Sequence, residues 1–139
     1  MGNSASASLV FGYRVLRDGK TYEFPPIWRR IDREFSGDFD DFILHVEGKT
    51  SLSWDEKRAI INACPAEHHA SGLLYESEAD DMIVMRGVGA HCSWDKPEQV
   101  PTGVMNLSPE RIAEFVAWCR RAGFEFDVEP AWFITAGYG

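Results

Sequence analysis

Leu9-Val10-Phe11-Gly12-Tyr13-Arg14-Val15-Leu16-Arg17-Asp18-Gly19-Lys20-Thr21-Tyr22-Glu23-Phe24 is the stretch whose reading decides the fold class. Two runs of β-branched and aromatic residues flank Asp18-Gly19. Both central residues of a two-residue type I′ turn need φ > 0, and Asp-Gly tolerates that, so the stretch predicts a hairpin over 9–24. A second pair of strand-like runs follows downstream. Gly72-Leu73-Leu74-Tyr75-Glu76 and Met82-Ile83-Val84-Met85-Arg86 flank the acidic segment Ser77 to Asp81, which predicts a hairpin over 73–86 around that turn. Phe124-Glu125-Phe126-Asp127-Val128 alternates apolar and acidic residues and predicts a half-buried C-terminal strand. Pro130 breaks it before Trp132-Phe133-Ile134-Thr135.

Between these runs the period changes to that of a helix. Pro25-Pro26 stops the first hairpin and can open a helix, with Ile27, Trp28, Ile31 and Phe35 on one face and Ser36-Gly37 at its end. Phe39, Phe42, Ile43 and Val46 fit a helix capped by Asp38, although Phe42 to Val46 could also be a buried strand; helix is the preferred reading. Ser53-Trp54-Asp55-Glu56 is a capping box, Ile60, Ile61 and Cys64 give that helix an inward face, and Pro65 ends it. The clearest helix covers 109–122. Ser108 caps it, Pro109 occupies the first position, and Ile112, Phe115, Val116 and Cys119 form its apolar stripe. Arg120 and Arg121 suit its negative end, and Gly123 follows it. Together the elements predict an α+β fold: a mostly antiparallel sheet of two hairpins and a C-terminal strand, with three to four helices packed on it. Acidic outer positions on the strands call for one wet sheet face, which antiparallel sheets allow.

The chain has 139 residues, 45% of them apolar, enough for one domain with its own core. Residues 1–8 read as a flexible Ser/Ala leader and 9–139 as the domain. Met1-Gly2-Asn3-Ser4-Ala5-Ser6 also matches the myristoylation pattern at Gly2, but no polybasic run or nearby cysteine offers a second anchor. No signal peptide and no apolar run of bilayer length is present. The cysteines Cys64, Cys92 and Cys119 are three, far apart and outside any CxxC pair. They point to buried free thiols in a reducing, cytoplasmic compartment rather than to a disulfide or zinc framework.

Net charge is −8 and falls unevenly: residues 1–69 carry 9 Lys/Arg and 11 Asp/Glu, residues 70–139 carry 5 and 11. Such a chain is repelled by phosphate backbones, which argues against direct nucleic-acid binding. It leaves a basic protein as the expected partner, although an acidic surface also serves solubility alone.

Few residues carry a signal for chemistry. His68-His69 lies past the Pro65 stop, and His91-Cys92 lies in a segment punctuated by Gly87 and Gly89 that reads as a loop. These could form a Cys92 nucleophile with a histidine base. Their spacing matches no metal signature, and no cofactor or metal is expected. Asp38-x-Asp40-Asp41 lacks the Gly and distal Glu of a calcium loop, and Gly87-x-Gly89 lacks the third Gly and the helix of a dinucleotide site. Five tryptophans are many for this length; Trp94, among polar loop residues, is the candidate exposed anchor. The first functional expectation is therefore a non-enzymatic protein-binding domain, of an inhibitor or immunity type. It would present Glu76, Glu78, Asp80, Asp81, Trp94, Glu125, Asp127 and Glu129 to a basic partner. The alternative is a small hydrolase or transferase using Cys92 with His91, His68 or His69. A third reading is a subunit whose apolar surface pairs two copies.

Overall fold

Strand β1 (Ala5–Leu16) is the axis of the sheet, because three other strands pair with it. The computed structural model describes residues 5–16, 26–49, 52–71, 80–93, 97–126 and 128–138. After β1 come helices α1 (Pro26–Phe35), α2 (Phe39–Val46) and α3 (Trp54–Ala63), then strands β2 (Ala66–Ser71), β3 (Asp80–Met85) and β4 (Ala90–Ser93), helix α4 (Pro109–Ala122) and strand β5 (Ala131–Tyr138). Among the described residues every strand pairing is antiparallel. The order is β2-β3-β1-β4, with β5 also on β1. The α+β class with an antiparallel sheet and packed helices is what the sequence predicts.

β1 pairs with β3 through Gly12–Leu16, with β4 through Ser6–Leu9, and with β5 through Ala5–Gly12. Between the β3 and β4 ladders, three steps of β1 (Gly12 to Leu9) face six steps of the partner chain (Val84 to Ala90). The extra residues form a bulge at 86–89, which bends the sheet. Gly89 sits there at φ +112, and a side chain on it would lie 1.8 Å from the Leu9 carbonyl oxygen. Gly87 and Gly89 thus serve sheet geometry. Gly12 is the other tight point: an added Cβ would stand 2.1 Å from Ile83 O and 2.7 Å from Val84 Cα. Arg86 secures the bulge, donating from Nε to Cys64 O at 3.1 Å and from Nη2 to Ala66 O at 3.0 Å.

Alternation along β1 sends Phe11, Tyr13 and Val15 to the helices and Val10 to the opposite face. The helix-side core is aromatic. Tyr13 lies between Phe115 (5.7 Å) and Phe126 (4.0 Å), Phe124 stacks on Phe126, and Phe39 contacts Trp118. Cys64 and Cys119 are buried and unbridged in it, as the apolar stripes imply. The opposite face is not simply wet. Val10, Met82 and Val84 form a second small cluster with Phe133 against it.

The helices begin where the sequence puts them. Asp38 caps α2, accepting from Asp40 N at 3.0 Å and Asp41 N at 3.2 Å, which supports the helical reading of 39–46. Ser53 caps α3, accepting from Glu56 N; the Glu56 carboxylate accepts from the Ser53 hydroxyl rather than reaching the backbone. Ser108 caps α4 and Gly123 ends it.

Several strand boundaries differ from expectation. β1 begins at Ala5, inside the Ser/Ala stretch read as leader. The returning half of the 9–24 hairpin lies outside the described residues. β3 pairs with β2, a strand at 66–71 that the sequence does not announce, while the predicted strand 72–76 lies outside the described residues. His68 and His69 are therefore strand residues. Asp80 and Asp81 belong to β3 rather than to a turn, and His91-Cys92 belongs to β4 rather than to a loop. Residues 124–126 are not a strand: Phe124 and Phe126 pack inward and Glu125 is exposed. The apolar–acidic alternation there records a buried side rather than a strand. The C-terminal strand is β5.

The steric account of Gly12 predicts that Gly12→Ala costs at least about 1–3 kcal/mol of unfolding free energy. Gly103→Ala should change it by less than about 0.5 kcal/mol, since its added Cβ meets only Asn106 Nδ2 at 3.5 Å. Urea unfolding of both variants measures the contrast.

Candidate functional site

Consecutive strand residues leave a sheet on opposite faces, and this rule separates the two adjacent histidines of β2. His68 is in register with Ile83 and points to the helices. Its Nε2 lies 2.8 Å from Asp81 Oδ1, and the Phe39 ring is nearby at 6.3 Å. Asp81 is 0% exposed. A carboxylate without a partner at that depth would cost several kcal/mol, and the imidazole helps make Asp81 tolerable in the core. This burial corrects the assignment of Asp81 to a partner-binding surface.

His69 is in register with Met82 and takes the other face. Its Nε2 is 3.0 Å from Thr135 Oγ1 of β5. In the hydrogen-bonded order, β3 and β1 stand between β2 and β5. The bond therefore requires the sheet to fold over on itself, enclosing Val10, Met82, Val84 and Phe133. Ser8 lies at the mouth of that fold. It is in register with His91 on β4 and with Thr135 on β5, which places all three side chains on one face. Ser8 Oγ and His91 Nδ1 are 2.9 Å apart. Four strands thus supply two hydroxyl–imidazole pairs, Ser8–His91 and Thr135–His69, to one place. Burial lowers the pKa of His69 below 6.5, and the charges of His68 and His91 lower it further.

Of the histidines and the cysteine singled out in the sequence, His69 and His91 converge. His68 points to the opposite face with Asp81. Cys92 follows His91 on β4 and projects from the face opposite it, where its Sγ lies 3.2 Å from Ser93 O. Among the described residues no three His, Cys, Asp or Glu side chains are grouped to hold a metal. Sequence reasoning missed Ser8, Thr135 and the inward role of Asp81. No local motif marks them, because their meaning comes from cross-strand register.

The proposed acidic surface is partly described. Glu76, Glu78, Trp94 and Asp127 lie outside the described residues, and of Asp80 only its place in β3 is known. Glu125 and Glu129 are exposed. Asp80 pairs with Leu16 of β1, while Phe126 stacks on Tyr13 of β1. Asp80 and residues 125–126 therefore both border the C-terminal half of β1. Burial raises the Tyr13 pKa, Cys119 and Glu129 push it the same way, and Arg120 opposes them. The other tryptophans of known placement are Trp118 and Trp132 in the core layer and Trp54, which is 66% exposed under the Arg58 guanidinium.

A cleft of about 490 Å³ opens between α3 and α4. Ile60, Cys64, Pro65 and Trp118 line it, and Glu47 bridges its rim by accepting from the Trp118 indole at 3.1 Å and from Arg121 at 2.9 Å. Burial pushes the Cys64 thiol up to about 11 and the Cys119 thiol up to about 12, so neither is a ready nucleophile near neutrality. Among the described residues no helix is long and apolar enough to cross a membrane.

A histidine whose pKa is lower folded than unfolded binds its proton preferentially in the unfolded chain. The stability that neutral His69 supplies is thus complete above about pH 6.5 and is lost as pH falls toward its folded value. Chemical denaturation between about pH 7.5 and 5 should show wild type losing more stability than His69→Gln, by up to about 1.4 kcal/mol per pH unit. Parallel pH profiles for the two proteins would contradict this assignment.

Compared with protein-family models, with curated proteins and with solved structures, the chain finds no match in any of the three.

Proposed function

We propose that the chain is a protein-binding domain that presents the acidic end of its sheet to a basic partner. The observation that supports this reading is the meeting of the start of β3 at Asp80 and residues 125–126 at the C-terminal half of β1. The distribution of charge supports it. Residues 26–63 and 109–122, which hold the four helices, carry 9 Lys/Arg and 10 Asp/Glu, a net of −1. The remainder carries 5 and 12, a net of −7. The acidity of the chain thus resides in the strands and their connections, where a concentrated field of one sign steers an oppositely charged partner. Asp81 has no part in that field's contact surface, being enclosed with His68; Glu76, Glu78, Asp80, Asp127 and the exposed pair Glu125 and Glu129 carry it. An inhibitor or immunity-type role fits this reading, with acidic side chains covering a basic surface of the partner.

The test is capture of partners from source cells, followed by association kinetics of the captured protein at about 0.05 and 0.5 M salt. The association rate should fall with salt. Reversing Glu125 and Glu129 to Lys should slow it by about tenfold with the melting temperature preserved, while Asp55→Lys with Glu56→Lys on α3 should leave it unchanged. A partner whose binding ignores both salt and the Glu125/Glu129 reversal would overturn the reading.

A further inference from the structure

We infer that Ser8 and His91 form a nucleophile–base pair that accepts an acyl group from small uncharged esters, with Thr135 beside them as the donor to the developing oxyanion. This activity goes beyond partner binding and occupies the opposite half of β1, so each can hold without the other. Three observations carry it. First, Ser8 Oγ and His91 Nδ1 are 2.9 Å apart, so the hydroxyl can donate its proton to the ring nitrogen. Second, Thr135 is the cross-strand neighbour of Ser8 on the other side of β1, on the same face. Third, His69 Nε2 lies 3.0 Å from Thr135 Oγ1. In the tautomer with a proton on Nε2, His69 donates to that oxygen and leaves the Thr135 hydroxyl proton to point elsewhere. His69 is a positioning residue in this scheme.

The surroundings fit the chemistry. Ser8 is half-buried and His91 exposed, so a substrate can reach both. Phe133, two residues from Thr135 along β5 and on the same face, offers an apolar wall to an acyl chain. Among the described residues no carboxylate is in register with His91, Ser8 or Thr135 in that row. An uncharged ester needs no charged partner from that row, which favours it as the substrate class.

The step balances without any added reagent but water. Ser8 Oγ bonds to the carbonyl carbon while its proton passes to His91 Nδ1. The oxyanion forms against Thr135, collapses, and expels the alcohol, which takes the proton from His91. Water then enters by the same route, giving the carboxylic acid and restoring Ser8. With a fluorophosphonate the same attack forms an Oγ–P bond and releases fluoride, and the adduct persists.

That reagent gives a readout independent of turnover. The intact protein is treated with an alkyl fluorophosphonate, and adducts are located by peptide mass mapping. One adduct on Ser8 is expected, with none on Ser6 of the same strand. His91→Ala should slow its formation by about 100-fold or more. Thr135→Val should slow it less, and His69→Gln should restore most of what His69→Ala loses. Circular dichroism of each variant checks that the sheet persists. Absence of a Ser8 adduct in folded wild type, or labelling of Ser8 at an undiminished rate in folded His91→Ala, would overturn the inference.

Discussion

The absence of a side chain at Gly12 is the constraint on which the rest of the molecule depends. At that residue β1 is in register with β3 on one side and with β5 on the other. The neighbouring backbone comes so close that a Cβ would overlap the Ile83 carbonyl. Because β1 can be shared there, its two halves serve different neighbours. The C-terminal half pairs with β3 and lies under the helices; the N-terminal half pairs with β4 and β5. The bulge at 86–89 then lets β3 run into β4 along the same strand while the sheet bends. Put a side chain at Gly12 and the pairing with β3 must shift. A one-residue slip would send every buried side chain to the wrong face.

The bend gives β2 two distinct chemical environments one residue apart. On the helix side, His68 satisfies a fully buried aspartate, and their bond ties β2 to β3 beneath α2. On the other side, His69 ties β2 to β5 and closes the fold-over around Val10, Met82, Val84 and Phe133. Each polar link pins an arrangement that apolar burial alone would leave loosely defined. Burial of the small second cluster supplies the favourable free energy; the hydrogen bonds, each worth about 1 kcal/mol net, select the register. The polar site at the mouth is a consequence of the same closure, since Ser8, His91 and Thr135 share a row only because β1 holds both β4 and β5.

Much of the fold is legible in the sequence because its signals are local. The cap at Ser108 with Pro109, the cap at Asp38 and the Ser53–Glu56 pair act within one turn of chain, and each marks a real helix start. The long β run from Leu9 also proves real. What fails is whatever depends on a distant partner. Phe124-Glu125-Phe126 alternates as a strand does, but its two rings are drawn inward by Tyr13 and Phe39 and the segment is not a strand. Asp81 sits in an acidic stretch and looks solvated, yet His68, thirteen residues earlier, takes it into the core. His91-Cys92 looks like one reactive loop, and the strand geometry of β4 sends the two side chains apart. The polar site is the extreme case. Ser8 and Thr135 are ordinary residues in sequence, and they become neighbours only through the register of β1 with β5.

The polar site depends on the fold-over of the sheet, and nuclear Overhauser contacts in the isotope-labelled protein test that most directly. Ring protons of His69 should show cross-peaks to the Thr135 methyl group, although β3 and β1 separate their strands in the hydrogen-bonded order. Ser8 β protons should show cross-peaks to the His91 ring. Their presence would place β2 against β5 and assemble the four side chains as described. A sheet with β1 ladders intact but no His69–Thr135 cross-peak would be an open one, and both the closure and the site built on it would be contradicted.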